Sequence, residues 1–402
     1  MKLSKIGRIS MAFVVSVAMG LGMTSCGGGT VGFMWALGTQ FNQISGFKID
    51  NFTGNLTNIV GTPFSSGGTN PVSIVVRTGG RYVYVVNKGA GTSAGNVAEF
   101  SVGGDGVLTF QGTFTTQGKT PVWAAMDTSG NFLYVLDQLS PDGVNGDITV
   151  FSIAADTGRL SLVPNNSFKN PDGTQLTYFP VGSKPIMTRM TGACLFTVDS
   201  GDNTVFAYGT NSSTGQLTTT TNSTITTQAT RLTSINAGST YVYLTDAGAT
   251  PDSSGGFILP YTVGTNCSLQ TLTGGSVPNL PLTSNPSYSF TDLRNRYLYV
   301  LNQSTTNTMN ASSTISAFTI DQTNGKLQPI ADSNNPYPIG AGPMCMVEDP
   351  TFQYVYTSNN VSNTVTGKII NQNTGQLSDL RRGSSFPSTG QPTCLVISGS
   401  VN

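Results

Sequence analysis

The sequence predicts an all-β protein, a seven-bladed β-propeller with four antiparallel strands in each blade. The first observation is a strand pattern, seen in Arg81–Asn87 (RYVYVVN), in which aromatic and β-branched residues occupy both faces. A strand that is apolar on both faces is typical of a sheet covered on both sides. Copies of this strand end at Asn87, Asp137, Asp199, Asp246, Asn302 and Asn359. Such regular repetition indicates a repeat protein.

The second observation is a turn of the form Gly-x-Leu, which recurs about every fifty residues, the size of one four-stranded propeller blade. Cysteine replaces the glycine in one copy, Cys267–Leu269. The leucines of these turns are Leu56, Leu108, Leu160, Leu217, Leu269, Leu327 and Leu377. Seven such turns predict seven blades.

One complete unit shows the expected order of strands, named a to d along the chain. Strand a spans Pro121–Asp127, strand b Phe132–Asp137 and strand c Asp147–Ile153, and strand d begins at Leu160. No window shows useful helical periodicity, so a solenoid that alternates helices and strands is not expected.

The two ends of the chain complement each other. Phe33–Leu37, Ile44–Ile49 and Leu56–Phe64 match strands b, c and d of a first blade that lacks strand a. The missing pattern occurs at Pro392–Ser398, close to the C-terminus. We therefore expect the two ends to complete one blade together, which closes the ring and removes two exposed sheet edges.

The first 25 residues have the character of a secretory signal rather than of the fold. A basic start precedes the apolar run Met11–Met23, which is too short to be read as a membrane-spanning helix. The segment Met23–Cys26 resembles the bacterial lipoprotein signal, in which the cysteine is lipidated and becomes the first mature residue. The alternative is an ordinary signal with an incidental cysteine.

The resemblance to a lipoprotein signal implies a signal peptide of residues 1–25, a tether of residues 26–32 and a propeller of residues 33–402. It implies a location in the cell envelope, where the lipid on Cys26 anchors the protein to the membrane. Because no aspartate follows Cys26, the outer membrane is favoured, on its periplasmic or surface face. We expect a monomer.

Composition limits the classes of function. Only 9% of the residues are charged and the formal net charge is zero, which argues against a nucleic-acid partner. The chain contains no histidine, which excludes imidazole metal sites and Ser-His-Asp or Cys-His catalysis. No metal site and no cofactor are predicted. A general base would have to be a carboxylate whose pKa is raised by burial, or a hydroxide ion held by cationic side chains.

Three motifs together resemble those of the lactonase-type seven-bladed propellers, the 6-phosphogluconolactonase-like family with a YVTN-like repeat. They are the aromatic-Val/Leu-aromatic-Val-x-Asn/Asp strand, the Pro-x5-Asp strand before it and the Thr/Asn-Gly-x-Leu turn. The likeness covers roughly Phe33 to Ser398. It implies a lactonase, an ester hydrolase that opens a sugar lactone or related ring, here a small anionic lactone.

The same repeat also occurs in non-enzymatic surface propellers, because fold alone does not determine function. The alternative is therefore a binding or scaffold propeller that engages a protein or glycan through its loop face. This face is expected to carry the b–c loops, such as Lys88–Asn96 and Gln138–Asp147, and the connections from strand d to the next strand a, such as Asn165–Tyr178. A relative of the family that acts on muconate uses a histidine with arginine and glutamate, and this chain lacks the histidine. A charged, open channel would favour the enzyme, and a channel plugged by Met and Val would favour the scaffold.

Charged residues on the innermost strands are the candidate site residues. Arg189 and Arg231 could hold a carboxylate or phosphate between neighbouring blades, and Arg77 is a third candidate for ligand binding. Their alternative role is to pair with carboxylates in the channel wall. Glu348 is the best available general base. Two further groups are expected to be structural: the turn residues Asp127, Asp292 and Asp349, and the packing residues Trp123, Tyr288 and Phe290.

With Cys26 assigned to lipid, four cysteines remain. Cys345 and Cys394 hold the same place on strand a of adjacent blades, and Cys194 and Cys267 lie near turns of adjacent blades. An oxidising compartment favours these two disulfides. Buried free thiols are the alternative, because a disulfide requires Cα atoms within roughly 7 Å.

The lipidation site can be tested directly. Cys26→Ser removes the thiol that would carry the lipid, so we expect the protein to leave the membrane fraction and to lose labelling by radioactive palmitate. Ser25→Ala is the matched control, because it retains both the cysteine and a small residue before it. Unchanged membrane association of Cys26→Ser would contradict the assignment.

Overall fold

The computed structural model describes residues 29–399, apart from 92–93, 171, 239, 249–255, 281–284, 305–307 and 309–312. The predicted signal peptide and Cys26 lie outside this part of the chain. Within it, no helix is long and apolar enough to cross a membrane. The regular elements of these residues are β-strands and one 3-10 helix, η1 (Thr265–Cys267).

The strands form seven antiparallel sheets, the blades, with strand positions a to d from the axis outwards. Blade 1 begins with β1 (Thr30–Gly38), β2 (Gln43–Asp50), β3 (Leu56–Asn58) and β4 (Phe64–Ser65). Blade 2 contains β5 (Pro71–Val76), β6 (Tyr82–Asn87), β7 (Asn96–Val102) and β8 (Leu108–Phe114). Blade 3 contains β9 (Lys119–Met126), β10 (Phe132–Leu139), β11 (Asp147–Ile153), β12 (Leu160–Leu162) and β13 (Phe179–Pro180). Blade 4 contains β14 (Pro185–Thr191), β15 (Cys194–Asp199), β16 (Thr204–Thr210) and β17 (Leu217–Thr226).

The remaining blades follow the same order. Blade 5 contains β18 (Leu232–Ala237), β19 (Tyr241–Asp246), β20 (Phe257–Val263), β21 (Leu269–Thr271) and β22 (Val277–Pro278). Blade 6 contains β23 (Asn285–Thr291), β24 (Tyr297–Gln303), β25 (Ser313–Ile320), β26 (Leu327–Pro329) and β27 (Tyr337–Ile339). Blade 7 contains β28 (Pro343–Glu348), β29 (Tyr354–Asn359), β30 (Thr364–Ile370), β31 (Leu377–Asp379) and β32 (Ser385–Pro387). The last strand, β33 (Pro392–Gly399), belongs to blade 1. The predicted seven-bladed propeller is confirmed.

The terminal strands share blade 1. β33 takes position a and pairs with β1, with Phe33 opposite Ser398 and Trp35 opposite Val396. Neighbouring innermost strands contact each other around the whole ring, from β33 through β5, β9, β14, β18, β23 and β28 back to β33. β1 begins at Thr30, so residues 30–32 of the predicted tether belong to the propeller.

The outermost strand differs from the prediction. In five blades it is broken into two short pieces that pair with the same strand c, as β3 and β4 both pair with β2. The continuous strand predicted over Leu56–Phe64 is therefore wrong. At four of the five breaks an apolar side chain is buried, and the backbone N–H groups of Ile59, Val163 and Ile330 still donate to strand c. Such buried residues are Ile59, Val163, Ile330 and Leu380.

One contact repeats between neighbouring blades and joins the two sequence motifs. Between blades 2 and 3, the Tyr82 ring covers Gly158 and the Tyr84 hydroxyl donates to the Gly158 carbonyl oxygen at 2.6 Å. Tyr84 is fully buried, so its hydroxyl requires such a partner. The same donation joins Trp35 to Gly106, Tyr243 to Gly325, Tyr299 to Gly375 and Tyr356 to Gly54.

The glycine in this contact is required for two reasons. Gly158 has φ +74°, which disfavours any residue with a side chain, and a Cβ there would overlap the Tyr82 ring. A disulfide replaces the contact between blades 4 and 5, where Cys194 stands in the place of the first aromatic residue and Cys267 in that of the glycine. Their Cα atoms are 5.5 Å apart.

A second disulfide lies at the ring closure. Cys345 of β28 is bonded to Cys394 of β33, with Cα atoms 5.1 Å apart. Both cysteine pairs suggested by the sequence are thus disulfides in the structure. Because β33 is the strand contributed by the C-terminus, this bond ties the last strand to blade 7 while hydrogen bonds tie it to β1.

If the disulfide between Cys194 and Cys267 replaces the aromatic–glycine contact of the other blades, the two should be interchangeable in their contribution to stability. Cys194→Ala alone should lower the free energy of unfolding by about 2–4 kcal/mol, the usual contribution of a disulfide. The double variant Cys194→Tyr with Cys267→Gly rebuilds the contact of the other blades and should recover most of this loss. Denaturant unfolding measures both. A double variant no more stable than Cys194→Ala would contradict the equivalence.

Candidate functional site

Three side chains from different blades meet at the axis of the ring and form what we call the axial cluster: Trp123 of β9, Arg189 of β14 and Tyr288 of β23. The ring centroids of Trp123 and Tyr288 are 6.3 Å apart. The Arg189 guanidinium carbon lies 4.8 Å from the Trp123 centroid, and Nη2 donates to the Tyr288 hydroxyl at 2.7 Å. Blades 3 and 6 face each other across the ring, so the cluster closes the channel at this level.

A strand irregularity places the two aromatic residues there. Every innermost strand carries a bulge near its start, where one extra residue interrupts the pairing with strand b. Trp123 and Tyr288 are each the residue directly after this bulge. A bulge bends the strand and redirects the side chains that follow it. The expectation that these aromatic residues only pack in the core is therefore incomplete, because they also hold Arg189.

The positive charge of Arg189 has no carboxylate partner among the described residues. Its other hydrogen bond, from Nη1 to the Thr188 carbonyl oxygen, is long at 3.4 Å. The ion pairs in this part of the chain are Arg296–Asp292 and Lys368–Asp379. Aromatic faces attract a guanidinium but do not neutralise it. The half-buried Arg189 is therefore a cationic group able to bind an anion.

The structure does not bring Arg231 to Arg189. Arg231 precedes β18, and the strand registers align Arg189 with Asn236, five residues further along. The Arg231 guanidinium donates to the carbonyl oxygens of Gly248 and Ala247 and to Oδ1 of Asn285. The predicted two-arginine clamp is thus absent, because sequence comparison placed Arg231 at the wrong level of its strand.

Arg77 is also occupied by the backbone. It follows β5 and donates to the carbonyl oxygens of Gly130, Ala154 and Ala155 in blade 3 at 2.9–3.1 Å. These three bonds fix the junction of blades 2 and 3. Arg77 therefore has a structural role here.

Glu348 is buried in the wall and does not contact Arg189. It is 6% exposed, and Oε2 accepts a hydrogen bond from the backbone N–H of Leu293 at 2.6 Å. Burial, with a smaller contribution from the neighbouring carboxylates of Asp292 and Asp349, raises the pKa of Glu348 to about 7. The raised pKa suits the Glu348 carboxyl group to act as a base near neutral pH, but the group faces blade 6.

The turn role of the three aspartates is confirmed. Oδ1 of Asp127 accepts the backbone N–H groups of Asn131 and Phe132 at 2.8 and 2.7 Å. Asp292 and Asp349 each accept two backbone N–H groups at the same places of their own turns. These bonds close the turns between strands a and b.

The a–b turns of blades 3 to 6 surround a cavity of about 520 Å³ at one mouth of the channel. Asn236 and Asn295 line it with Asp127 and Asp292, several hydroxyl groups and Met190. Asn236 occupies the place in β18 that Arg189 occupies in β14, so the lining of this cavity reaches the strand level of Arg189, which is not itself a lining residue. Sequence reasoning missed this mouth, because it assigned binding to the loops of the opposite face.

A second cavity, of about 560 Å³, lies on that opposite face. Lys88, Lys119 and Thr116 line it with glycines of blades 2 and 3. Its floor is formed partly by Gly118, whose backbone contacts the buried Asp147. No three Asp, Glu or Cys side chains of the described residues converge on one point.

The closed ring of seven four-stranded sheets defines a seven-bladed β-propeller. Residues 31–177 match the protein-family model described as Lactonase, 7-bladed beta-propeller. The resemblance to lactonase-type propellers seen in the motifs is confirmed by this match. No curated protein matches the sequence at a significant level.

Several solved structures share the fold. A candidate 6-phosphogluconolactonase from Bacteroides fragilis has a TM-score of 0.69 and 19% identity, over 93% of this chain and 99% of that chain. One from Bacteroides uniformis has a TM-score of 0.69 and 17% identity, over 91% and 99%. The periplasmic gluconolactonase of Pseudomonas aeruginosa has a TM-score of 0.66 and 17% identity, over 92% and 99%. Identities of this size show a common fold.

The raised pKa of Glu348 makes a prediction about stability. Glu348→Gln keeps an oxygen for the Leu293 N–H but cannot ionise. With a pKa of about 7 in the folded protein against 4.5 ordinarily, the folded state holds this proton more tightly than the unfolded chain. The resulting stability is therefore complete below pH 4.5 and is lost as the pH rises to about 7.

We therefore expect the wild type to lose stability relative to Glu348→Gln between these pH values, by at most about 3 kcal/mol. Denaturant unfolding of both proteins at pH 5 and pH 8 measures the difference. Asp156→Asn, at an exposed carboxylate, should follow the wild type. Equal pH dependence of Glu348→Gln and the wild type would contradict the burial argument.

Proposed function

We propose that this propeller is an exported, envelope-anchored protein of the lactonase type that acts on a small anionic lactone. The observation that carries the proposal is Arg189, an uncompensated guanidinium held at the channel axis between Trp123 and Tyr288. The family match supports a lactonase-like role. The disulfides and the lipoprotein-type signal support export to an oxidising compartment.

The ligand enters through the cavity bounded by the a–b turns. Its acidic group pairs with the Arg189 guanidinium, which is partly desolvated and pre-oriented by the two aromatic rings. The hydroxyl groups of the lactone bind the side chains of Asn236 and Asn295 and the threonine and serine hydroxyls that line the cavity. A carboxylate or phosphate on the lactone is therefore the feature that gives binding its selectivity.

Hydrolysis adds water to the lactone carbonyl carbon and breaks the ring C–O bond, which yields a hydroxy acid. The added water loses a proton to a base as it attacks, and the ring oxygen takes up that proton as the C–O bond breaks. The proposed base remains Glu348, whose pKa is raised by burial and which binds the backbone N–H of Leu293 in the cavity lining. Asp127 and Asp292 also line the cavity, but their carboxylates hold the a–b turns. The Asn236 amide is a donor for the negative charge that develops on the carbonyl oxygen.

The second candidate function is a non-catalytic propeller that binds a protein or glycan through its loop face. The closed axis favours it, because Trp123, Arg189 and Tyr288 block passage along the channel. The large cavity on the loop face is the corresponding binding region. In this case Arg189 stabilises the ring and no lactone turns over.

The test is turnover of a panel of unphosphorylated and phosphorylated sugar lactones by the purified protein, followed by acid release. Arg189→Met retains an apolar side chain of similar length but loses the charge. Loss of a charge-assisted hydrogen bond is worth about 1.5–3 kcal/mol, so kcat/KM should fall about 10- to 150-fold. Arg81→Met, at an exposed arginine of blade 2, is the matched control and should retain activity.

The outcomes separate the two candidates. If Arg189→Met leaves turnover unchanged, Arg189 is not part of the active site. Absence of turnover across the panel, together with calorimetric binding of the hydroxy-acid products that Arg189→Met abolishes, would leave an anion-binding propeller without catalysis. Binding of glycans or protein that Arg189→Met does not affect would favour the loop face.

A further inference from the structure

Blade 3 contains two buried carboxylates that face each other. Asp137 is near the end of β10 and Asp147 begins β11, and the two are direct partners in the register of these strands. Both residues are 0% exposed. Oδ1 of Asp137 accepts a hydrogen bond from the Thr116 hydroxyl at 2.9 Å. Oδ2 of Asp137 and both carboxylate oxygens of Asp147 have no hydrogen-bond partner.

The corresponding places in other blades show what this position requires. In blade 2, Nδ2 of Asn87 donates to Oδ1 of Asn96 at 2.9 Å. The equivalent amides of blades 6 and 7 donate to threonine hydroxyls, Asn302 to Thr314 and Asn359 to Thr364. A donated hydrogen thus links the end of strand b to the start of strand c. Between Asp137 and Asp147 ionised carboxylates leave no such donor.

Blade 5 shows how a single carboxylate is accommodated at the same place. Asp246 accepts the backbone N–H groups of Thr230, Arg231 and Gly248 at 2.8–3.0 Å. A buried carboxylate is stable when such donors surround it, and burying an unpaired one is costly. The nearby ammonium of Lys119 does not serve the blade 3 pair, because it donates to the Pro141 carbonyl oxygen.

We propose that Asp137 and Asp147 hold a metal cation that prefers oxygen ligands, of which Ca²⁺ is the representative. One proton could link only two of the three unpartnered oxygens, whereas a cation can be bound by all three and offsets both charges. Carboxylate and carbonyl oxygens are the ligands of Ca²⁺. Gly118 keeps the site free of a side chain, because a Cβ at this position would overlap Oδ1 of Asp147.

The location of the pair provides access for the ion from solvent and indicates what the ion would stabilise. Thr116 and Gly118, which touch the pair, also line the cavity on the loop face. The remaining ligands come from neutral oxygens and water, since only two carboxylates are present. An ion here would connect the b–c loop of blade 3 to the segment that leads into β9. In blade 2 the hydrogen bonds from the Asn87 amide to Ser66 and Asn96 make the same connection.

The experiment compares thermal unfolding of the purified full chain, stripped with a chelator, with and without 10 mM CaCl₂ at pH 8. Sites with few carboxylates bind Ca²⁺ with dissociation constants of about 0.1–1 mM, so Tm should rise by about 2–4 °C. Asp137→Asn with Asp147→Asn copies the Asn87–Asn96 pair of blade 2 and should abolish the rise. Asp199→Asn, at a buried carboxylate of blade 4, is the matched control and should retain it.

Three outcomes decide the proposal. A rise lost in the double variant and kept in Asp199→Asn supports it. No rise in the wild type overturns it, and shows that a shared proton is sufficient. A rise of equal size in the double variant overturns it as well. If the double variant does not fold, calorimetric titration of Ca²⁺ into the wild type and into Asp137→Asn alone tests the same point. None of these results depends on lactone turnover.

Discussion

The contact on which the rest of the ring depends is the hydrogen bond from a buried aromatic residue of one blade to a turn glycine of the next. Tyr84 and Gly158 show it most clearly, with Tyr82 packed over the same glycine. It pairs a buried hydroxyl with a carbonyl oxygen while apolar ring surface is removed from water. The aromatic strand and the Gly-x-Leu turn recur together because each is the binding partner of the other.

Two junctions of the ring carry a disulfide. Where Cys194 replaces the aromatic residue, Cys267 replaces the glycine, and a disulfide joins the blades instead. At the ring closure the usual contact is present, since Tyr356 donates to Gly54 across almost the whole length of the chain. β33 and the bond between Cys345 and Cys394 strengthen the same junction. One disulfide therefore replaces the repeated contact, and the other supplements it at the junction where the two ends of the chain meet.

A rigid, closed ring limits where function can reside. Most charged groups near the channel are used by the fold: Arg77 and Arg231 bind backbone carbonyls, and Glu348 binds a backbone N–H. Arg189 is different because aromatic rings, rather than carboxylates, surround it. The Asp137–Asp147 pair is the opposite case, in which negative charge lacks donors. Both places depart from the repeat in charge, and charge that the fold does not use is available to a ligand.

The sequence by itself determined the fold class, the number of blades and the sharing of blade 1 by the two ends, because these follow from local strand and turn patterns repeated along the chain. It also suggested both cysteine pairs and the turn role of Asp127. It did not determine which charged side chains reach the channel. Arg231 and Arg189 looked equivalent, but the pairing of strands a and b aligns Arg189 with Asn236 and leaves Arg231 before β18. The meeting of Trp123, Arg189 and Tyr288 was decided only by the tertiary structure, since ring closure brings blades 3 and 6 face to face across the axis.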